Sequence, residues 1–526
     1  MTDQIDEKVA GQEAAAVQEQ VPAQSTATEE PAKNDEELQP AVYDARELGT
    51  GRMVVLGLQH MFAMFGATIL VPVLTGLSVS ATLLFAGLGT LLFHLLSKRK
   101  VPAFLGSSFA FLAGYAAIAP NGDPALLPYA CLGVAFAGLL YLVLSALFAI
   151  FGPKTVMRYF PPVVTGPIVI CIGLILASSA IANCETNWLV AVIAVIVIVV
   201  CNIWGKGMIK IIPILMGVVI SYIIAAIMGL VDWSGVVSAN WIGLPVLWEN
   251  TVFSIFGASY DRGLAITAII TIMPIAFATM IEHIGDISAI SSTCERNFIA
   301  DPGLHRTLLG DGLATILASL FGAPANTTYG ENTGVLALTR VYDPRVVRIA
   351  ALFAVLLSFC PKFAAVIGAM PSCVIGGVSL VLYGMISAVG VRNLIENQVN
   401  FTKSRNVLIA ALILVLSLGI NYSTAGAINL TFGEITIGLS GLAIGSLVGI
   451  ILNAILPGKD FDFDMNAEVG SLAAAGTLSV GSSAASTTEL VREGAQARAD
   501  AVAVQNWEDT DPFKADAAEE EAAQAE

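Results

Sequence analysis

Two acidic residues in the sequence TMIEHIGDI are the first candidates for chemistry in this chain. They are Glu282 and Asp286, and the residues around them are mostly apolar. If this segment is a helix, the four-residue spacing places both carboxylates on one face, about 6 Å apart, whereas His283 points elsewhere. Ionisable groups inside membrane-spanning segments are energetically costly and by default mark a functional site. We therefore expect this helix face to line a site.

A third carboxylate, Glu331, directly follows Tyr329 and Gly330 in a short apolar segment that glycine interrupts. A charged carboxylate only accepts hydrogen bonds, whereas the backbone N–H groups at helix ends are free to donate. Glu282 and Glu331, combined with such N–H groups, suit a small flat solute with both N–H and C=O groups on its edge, such as a nucleobase. A simple anion would be repelled. A bare cation would also fit, so ion transport is an alternative.

Proton binding is a second property expected of these carboxylates. Burial and mutual repulsion favour the protonated form, so at least one of them should gain and lose a proton during a transport cycle. The alternative is a structural set of polar groups that satisfy one another.

The remaining polar groups in apolar segments are weaker candidates. His60 and His94 suit packing or interhelical hydrogen bonds, and Lys362 suits a side chain that reaches toward the outer interface. Asp311 fits a local cap or pair as well as a functional role. The seven cysteines show no CxxC or metal-type spacing, and no nucleophile or cofactor motif is present. We expect no metal, no cofactor and no enzyme activity.

Membrane-spanning helices must carry these groups. Of the 526 residues, 56% are hydrophobic and 13% are charged, and the mean hydropathy is +0.78; a soluble domain is about one-quarter charged. Apolar runs recur at the length that crosses a bilayer as a helix. We predict an all-α polytopic membrane protein with fourteen transmembrane segments, at 53–76, 79–97, 103–118, 126–151, 161–182, 187–204, 209–231, 263–290, 307–323, 327–339, 346–369, 371–391, 406–421 and 433–456.

Loop charges support this count. If both termini are cytoplasmic, the inside loops hold 15 of the 18 Lys and Arg residues that lie between the two acidic tails, as the positive-inside rule predicts. The third and tenth segments are short, and omitting either one would invert the loops that follow it. Both are therefore kept.

The third and tenth segments also match each other. Each is third in a group of seven and has two small hydroxylated residues before an aromatic one: Ser107, Ser108 and Phe109 in the first, then Thr327, Thr328 and Tyr329 in the second. Short, glycine-interrupted segments at corresponding positions are typical of a midplane binding site in an inverted-repeat transporter. Seven spans is an odd number, so the second repeat should be inverted relative to the first.

The chain ends are strongly acidic. Residues 1–48 contain 12 acidic and 3 basic side chains, and residues 458–526 contain 15 and 4. Both segments have few large apolar residues, so we predict that they are disordered. Their acidity argues against nucleic acid as a partner.

Several sequence blocks resemble the nucleobase–ascorbate transporter family, also called nucleobase:cation symporter-2, and within it the bacterial uracil permeases. They are GLQHMFAMFGATILVPVLTG, VPAFLGSSFAF, EHIGD, DPGLHR and NTTYGENTGVLALTRVY. The stretch Glu331–Arg340 matches the family signature: an acid or amide, Asn, any residue, Gly, four more residues, then Thr-Arg. The resemblance covers roughly residues 50–456 and excludes both tails.

This resemblance implies an architecture of two inverted seven-span repeats in a transporter domain at 49–457. A core domain would comprise spans 1–4 and 8–11, at about 53–151 and 263–369. A gate domain would comprise spans 5–7 and 12–14, at about 161–231 and 371–456. Family members are proton symporters of the bacterial inner membrane and commonly dimerise through the gate, so a homodimer in the lipid bilayer is expected.

The resemblance also implies the roles of individual residues. Glu282 and Glu331 would hold the N–H groups of a base, the backbone amides of Phe109 and Gly330 would bind its carbonyl oxygens, and Tyr329 would border it. An acid at the start of the signature is similar to uracil permeases, so import of uracil with a proton is the leading expectation.

One position departs from the uracil-permease pattern. Some uracil permeases have a histidine four residues after the glutamate of span 8, whereas this chain has Asp286, as purine carriers often do. Asp286, with Glu282, is therefore the expected proton-coupling site, and a purine (xanthine or urate) proton symporter is the alternative.

Overall fold

The computed structural model of the chain describes residues 41–256, 260–432 and 435–458. The predicted disorder of the acidic tails therefore falls almost wholly outside the described residues. The exception is 41–48, assigned above to the N-terminal tail. This segment instead packs against membrane helices: Ala45 is fully buried, and a short 3-10 helix spans Ala45–Leu48.

The helices of the first half precede a long loop. They are α1 (Thr50–Thr75), α2 (Val79–Leu96), α3 (Leu112–Ile118), α4 (Leu127–Phe151), α5 (Pro153–Met157), α6 (Pro162–Cys184), α7 (Trp188–Trp204), α8 (Met208–Ile211), α9 (Pro213–Ile227) and α10 (Ser234–Ser238). Strand β1 (Leu105–Ser107) lies between α2 and α3.

The second half begins after this loop. Its helices are α11 (Arg262–Ile272), α12 (Ile275–Thr293), α13 (Leu304–Leu320), α14 (Gly330–Thr339), α15 (Pro344–Ser358), α16 (Pro361–Gly368), α17 (Ser372–Glu396), α18 (Ser404–Asn421) and α19 (Gly441–Ile455). Strand β2 (Asn326–Thr328) precedes α14, and strands β3 (Ala427–Phe432) and β4 (Ile435–Ser440) precede α19.

Long apolar helices make this a polytopic membrane protein. Within the described residues, seven helical segments are long and apolar enough to cross a bilayer, counting α11 and α12 as one, and α15 with α16 meets the same criterion as a bent pair. The other six predicted spans coincide with shorter or broken helices. The count of fourteen therefore remains a prediction.

Two short strands, β1 and β2, pair where the third and tenth predicted spans are interrupted. This paired region is here called the strand crossing. β1 and β2 are antiparallel, with Gly106 opposite Thr327. This pairing satisfies backbone groups that are in no helix, which is necessary at membrane depth. Only glycine fits at 106, because a Cβ there would overlap the ring of Tyr329 and lie 2.8 Å from Oγ1 of Thr68. Both segments are thus short and broken, as predicted.

Two features of the regular structure were not predicted. The segment 346–369, predicted as one span, is divided into α15 and α16, which meet at 86°. Pro361 begins α16, and proline disrupts a helix that would continue through it. The description "all-α" is also too simple, because β3 and β4 form an antiparallel hairpin where the last predicted span, 433–456, begins.

Candidate functional site

Helix α12 carries the first two candidate carboxylates and packs against α4, α14 and β2. Glu282 is exposed although its helix has neighbours on several sides, and Asp286 is half-buried. A Cβ added at Gly285, which lies between them, would meet no atom within 4 Å. This face of α12 is therefore only partly covered by its neighbours, and its role as the lining of a substrate site remains a prediction.

Asp286 is tied to the strand crossing. The hydroxyl of Thr328, in β2, donates to Oδ2 of Asp286 at 2.9 Å. Thr328 precedes Tyr329 and Gly330, so this bond connects Asp286 to the beginning of α14. The sequence singled out Thr328 by its match to the third span, but no signal in it indicated Asp286 as the partner.

The third carboxylate, Glu331, lies in the first turn of α14 and is half-buried. The first N–H groups of a helix have no partner within it, and the helix dipole favours negative charge there. Tyr329, in extended conformation, is the N-cap residue. The same helix start therefore offers an acceptor, the Glu331 carboxylate, and free N–H donors.

The backbone pairing of the two broken segments ends at Ser108 in one and at Tyr329 in the other. The N–H of Ser108 donates to the carbonyl of Ala325 (2.8 Å), and the N–H of Tyr329 donates to that of Phe104 (3.0 Å). The next N–H groups along the chain are those of Phe109 and Gly330, and both residues are half-buried. These are the two backbone donors expected from the sequence.

Tyr329 is buried, and its hydroxyl takes part in the strand crossing. The hydroxyl donates to the carbonyl of Ser107 at 2.8 Å and lies 3.3 Å from Oγ1 of Thr68. These contacts hold β1, β2 and α1 together. A contact between Tyr329 and a substrate remains a prediction.

The carboxylates act on one another electrostatically. Glu282 lies within Coulomb range of Glu331 and Asp311, and Asp286 within range of Glu282 and Glu331. Several acids so close together would attract cations and protons and repel anions.

A buried histidine–aspartate pair includes the residue that directly follows Glu282. Nδ1 of His283 is 3.1 Å from Oδ2 of Asp311, and both side chains are fully buried. This favours local pairing for Asp311 and connects α12 to α13. Two further histidines also make structural contacts: His60 bonds with Asn332 at 3.1 Å, and His94 Nε2 lies 2.8 Å from the carbonyl of Ala103.

Comparison with known proteins identifies the family of this chain. The profile of a family described as "Permease family" (Xan_ur_permease) matches residues 51–426. The chain belongs to this permease family. The resemblance to nucleobase–ascorbate transporters is thereby confirmed, and this permease is a transporter rather than an enzyme.

Curated relatives of the permease match along most of their own length. The uracil permease of Bacillus caldolyticus is 42% identical over 418 residues, which cover 78% of this chain and 93% of that protein. The uracil permease of Bacillus subtilis (strain 168) is 39% identical over 417 residues, covering 77% and 92%.

Solved structures share the fold at low identity. The transmembrane domain of a cyanobacterial bicarbonate transporter, BicA, superposes with a TM-score of 0.50 and 14% identity, covering 79% of this chain and 99% of that one. A structure of SLC26A9 gives a TM-score of 0.55 at 14% identity, covering 78% of this chain and 66% of that one. These similarities concern the fold alone.

Proposed function

We propose that this permease imports uracil together with a proton by alternating access. One observation carries the proposal: Glu282 and Glu331 lie on helices α12 and α14, which pack together, and at the ends of the paired strands the N–H groups of Phe109 and Gly330 donate to none of the described residues. Relatives named uracil permeases, about 40% identical over most of their length, support this choice of base.

The donors and acceptors of uracil complement this site. Uracil has two ring N–H groups that donate and two carbonyl oxygens that accept. Charged Glu282 and Glu331 would accept from the N–H groups, and the N–H groups of Phe109 and Gly330 would donate to the carbonyls. The ring of Tyr329 would border the base while its hydroxyl keeps the two strands together.

Asp286, assisted by Glu282, would carry the co-transported proton. Asp286 holds the hydroxyl of Thr328 two residues before Gly330. A charged Asp286 can only accept from this hydroxyl, whereas a protonated one can also donate. Gain or loss of the proton would therefore alter the bond that positions β2 and the start of α14. This links proton binding to the geometry of the base site without a metal or organic cofactor.

The proposed architecture is that of two inverted seven-span repeats with a core and a gate. The matching broken segments 103–118 and 327–339 support the inverted repeats, and the core would move relative to the gate while the site stays at their interface. The positive-inside distribution of loop charges supports cytoplasmic termini in a bacterial inner membrane. A homodimer formed through the gate completes this proposal.

Competition for labelled uracil uptake tests the choice of substrate. We expect unlabelled 5-fluorouracil and thymine to compete better than xanthine or urate, in cells that lack their own uracil permease. The same cells with an empty vector are the control. Strong inhibition by xanthine, with none by thymine or 5-fluorouracil, would favour the purine alternative that Asp286 raises.

A further inference from the structure

The segment Ala41–Leu48, here called the N-terminal strap, contacts the end of the helix that carries Glu331. The N–H of Val42 donates to the carbonyl of Arg340, and the N–H of Tyr342 donates to that of Val42, both at 2.8 Å. They form an isolated parallel bridge between Val42 and Val341. Arg340 is the C-cap residue of α14 and has a left-handed conformation (φ 52°).

The next residue of the strap contacts the end of the helix that carries Glu282. The hydroxyl of Tyr43 donates to the carbonyl of Cys294 at 3.1 Å, and Cys294 is the C-cap residue of α12. The guanidinium of Arg296 lies over the Tyr43 ring, 4.3 Å from its centre. The ring also packs against that of Tyr342, with centres 5.4 Å apart.

Two further contacts hold the strap in place. Nη1 of Arg345 donates to Oδ1 of Asp44 at 3.0 Å, and the N–H of Ala45 donates to Oδ2 of Asp343 at 2.8 Å. The hydrogen bonds from Arg46 lower the pKa of Asp44 well below its usual value, and the charge of Arg345 contributes. Asp44 therefore keeps its charge across the neutral pH range.

We infer that the N-terminal strap sets the position of Glu282 relative to Glu331, with Tyr43 as the principal positioning residue. Val42 and Tyr43 are consecutive, and they bond the C-cap carbonyls of α14 and α12 respectively. Cys294 is twelve residues beyond Glu282, and Arg340 is nine beyond Glu331, which corresponds to about 18 Å and about 14 Å of helix. Helices transmit such a constraint because they are stiff over this length.

This inference rests on the proposed function, because it assumes that Glu282 and Glu331 bind one substrate together. Removal of the strap contact should then weaken binding while the chemical groups of the site remain. Tyr43→Ala removes both the hydrogen bond and the ring contacts. Tyr43→Phe removes only the hydrogen bond to Cys294 and keeps the ring against Arg296 and Tyr342, so it should weaken binding less than Tyr43→Ala does.

Uptake kinetics with labelled uracil provide the first test. We expect Tyr43→Ala to raise KM about three- to tenfold, with the maximal rate per molecule within about twofold of the original. Tyr422→Ala is the matched control: its hydroxyl also donates to a backbone carbonyl, that of Leu174 at 2.7 Å, but in α6. It should change KM by less than about twofold. An unchanged KM in Tyr43→Ala, or a fall in rate alone, would overturn the inference.

Hydrogen–deuterium exchange provides a test that needs no substrate. Peptides covering the C-terminal turns of α12 and α14 should exchange faster in Tyr43→Ala than in the original protein and in Tyr422→Ala. Equal exchange would refute the strap's role, even if uracil proved to be the wrong substrate. Absence of uracil uptake by the original protein would instead refute the proposed function alone.

Discussion

The three candidate carboxylates differ in how the surrounding chain holds them. Glu282 makes no hydrogen bond or ion pair to any of the described residues, Asp286 accepts from Thr328, and Glu331 lies at a helix start where negative charge is favoured. Glu282 can therefore bind a substrate without first breaking a side-chain contact, whereas the Glu331 carboxylate also accepts from the N–H of its own residue. Proton exchange at Asp286, in contrast, changes an existing bond.

Replacement of Glu331 tests the substrate contact at the residue scale. Glu331→Gln substitutes a neutral amide, which also donates, for a charged acceptor. A hydrogen bond to a charged group contributes about 1.5–3 kcal/mol, so we expect uracil affinity to fall by about tenfold or more. Calorimetric titration of the purified protein measures this, with Glu249→Gln, an exposed loop position, as the control. Affinity equal to that of the original protein would show that the site is assigned wrongly.

Replacement of Asp286 tests proton coupling. Asn cannot bind a proton at neutral pH, but its side-chain oxygen can still accept from Thr328. We therefore expect Asp286→Asn to lose uracil accumulation driven by a pH gradient while it retains exchange of labelled for unlabelled uracil. Asp123→Asn, in an exposed loop, should retain both activities. A pH dependence like that of the original protein would move the coupling role to Glu282 or another group.

Residue spacing predicted only the local part of this site. The four-residue interval placed Glu282 and Asp286 on one face because a helix repeats every 3.6 residues. The contacts of Asp286 with Thr328, 42 residues away, and of His283 with Asp311 had no such signal. They depend on how α12 packs against its neighbours, which a single sequence does not encode as a local pattern.

At the scale of elements, a break in a membrane span could be predicted where small or polar residues occur at the break. The Ser-Ser-Phe and Thr-Thr-Tyr patterns revealed the two broken segments that form β1 and β2. The 86° bend between α15 and α16 was missed, because the segment 346–369 is mostly apolar and hydropathy carries no information about the direction of a helix. Pro361 was the available signal.

The strand crossing makes a prediction of its own. Gly106→Ala should destabilise the protein by about 1–3 kcal/mol, because the new methyl group would overlap the ring of Tyr329 and force β1 away from β2. We expect a lower melting temperature in detergent and a loss of uracil binding. Gly419→Ala is the control, since a Cβ there meets no atom within 4 Å. A melting temperature and affinity equal to those of the original protein would contradict the need for glycine at this crossing.

At the scale of the whole molecule, composition and resemblance together predicted the class of protein. Apolar content predicted a polytopic membrane protein, and the motif blocks predicted the permease family, which the match over residues 51–426 confirms. The number of spans was harder to predict from the sequence. Seven predicted segments are short, broken or bent, and hydropathy alone does not say whether each one crosses the bilayer.

Gradient-driven uptake into proteoliposomes tests the central proposal most directly. Purified protein would be reconstituted, and labelled uracil would be added with the outside either more acidic than the inside or at equal pH. A proton symporter predicts transient accumulation above the outside concentration only with the acidic outside, and its loss when a protonophore dissipates the gradient. Uracil that merely equilibrates at the same rate in both conditions, or fails to enter, would contradict uracil–proton symport.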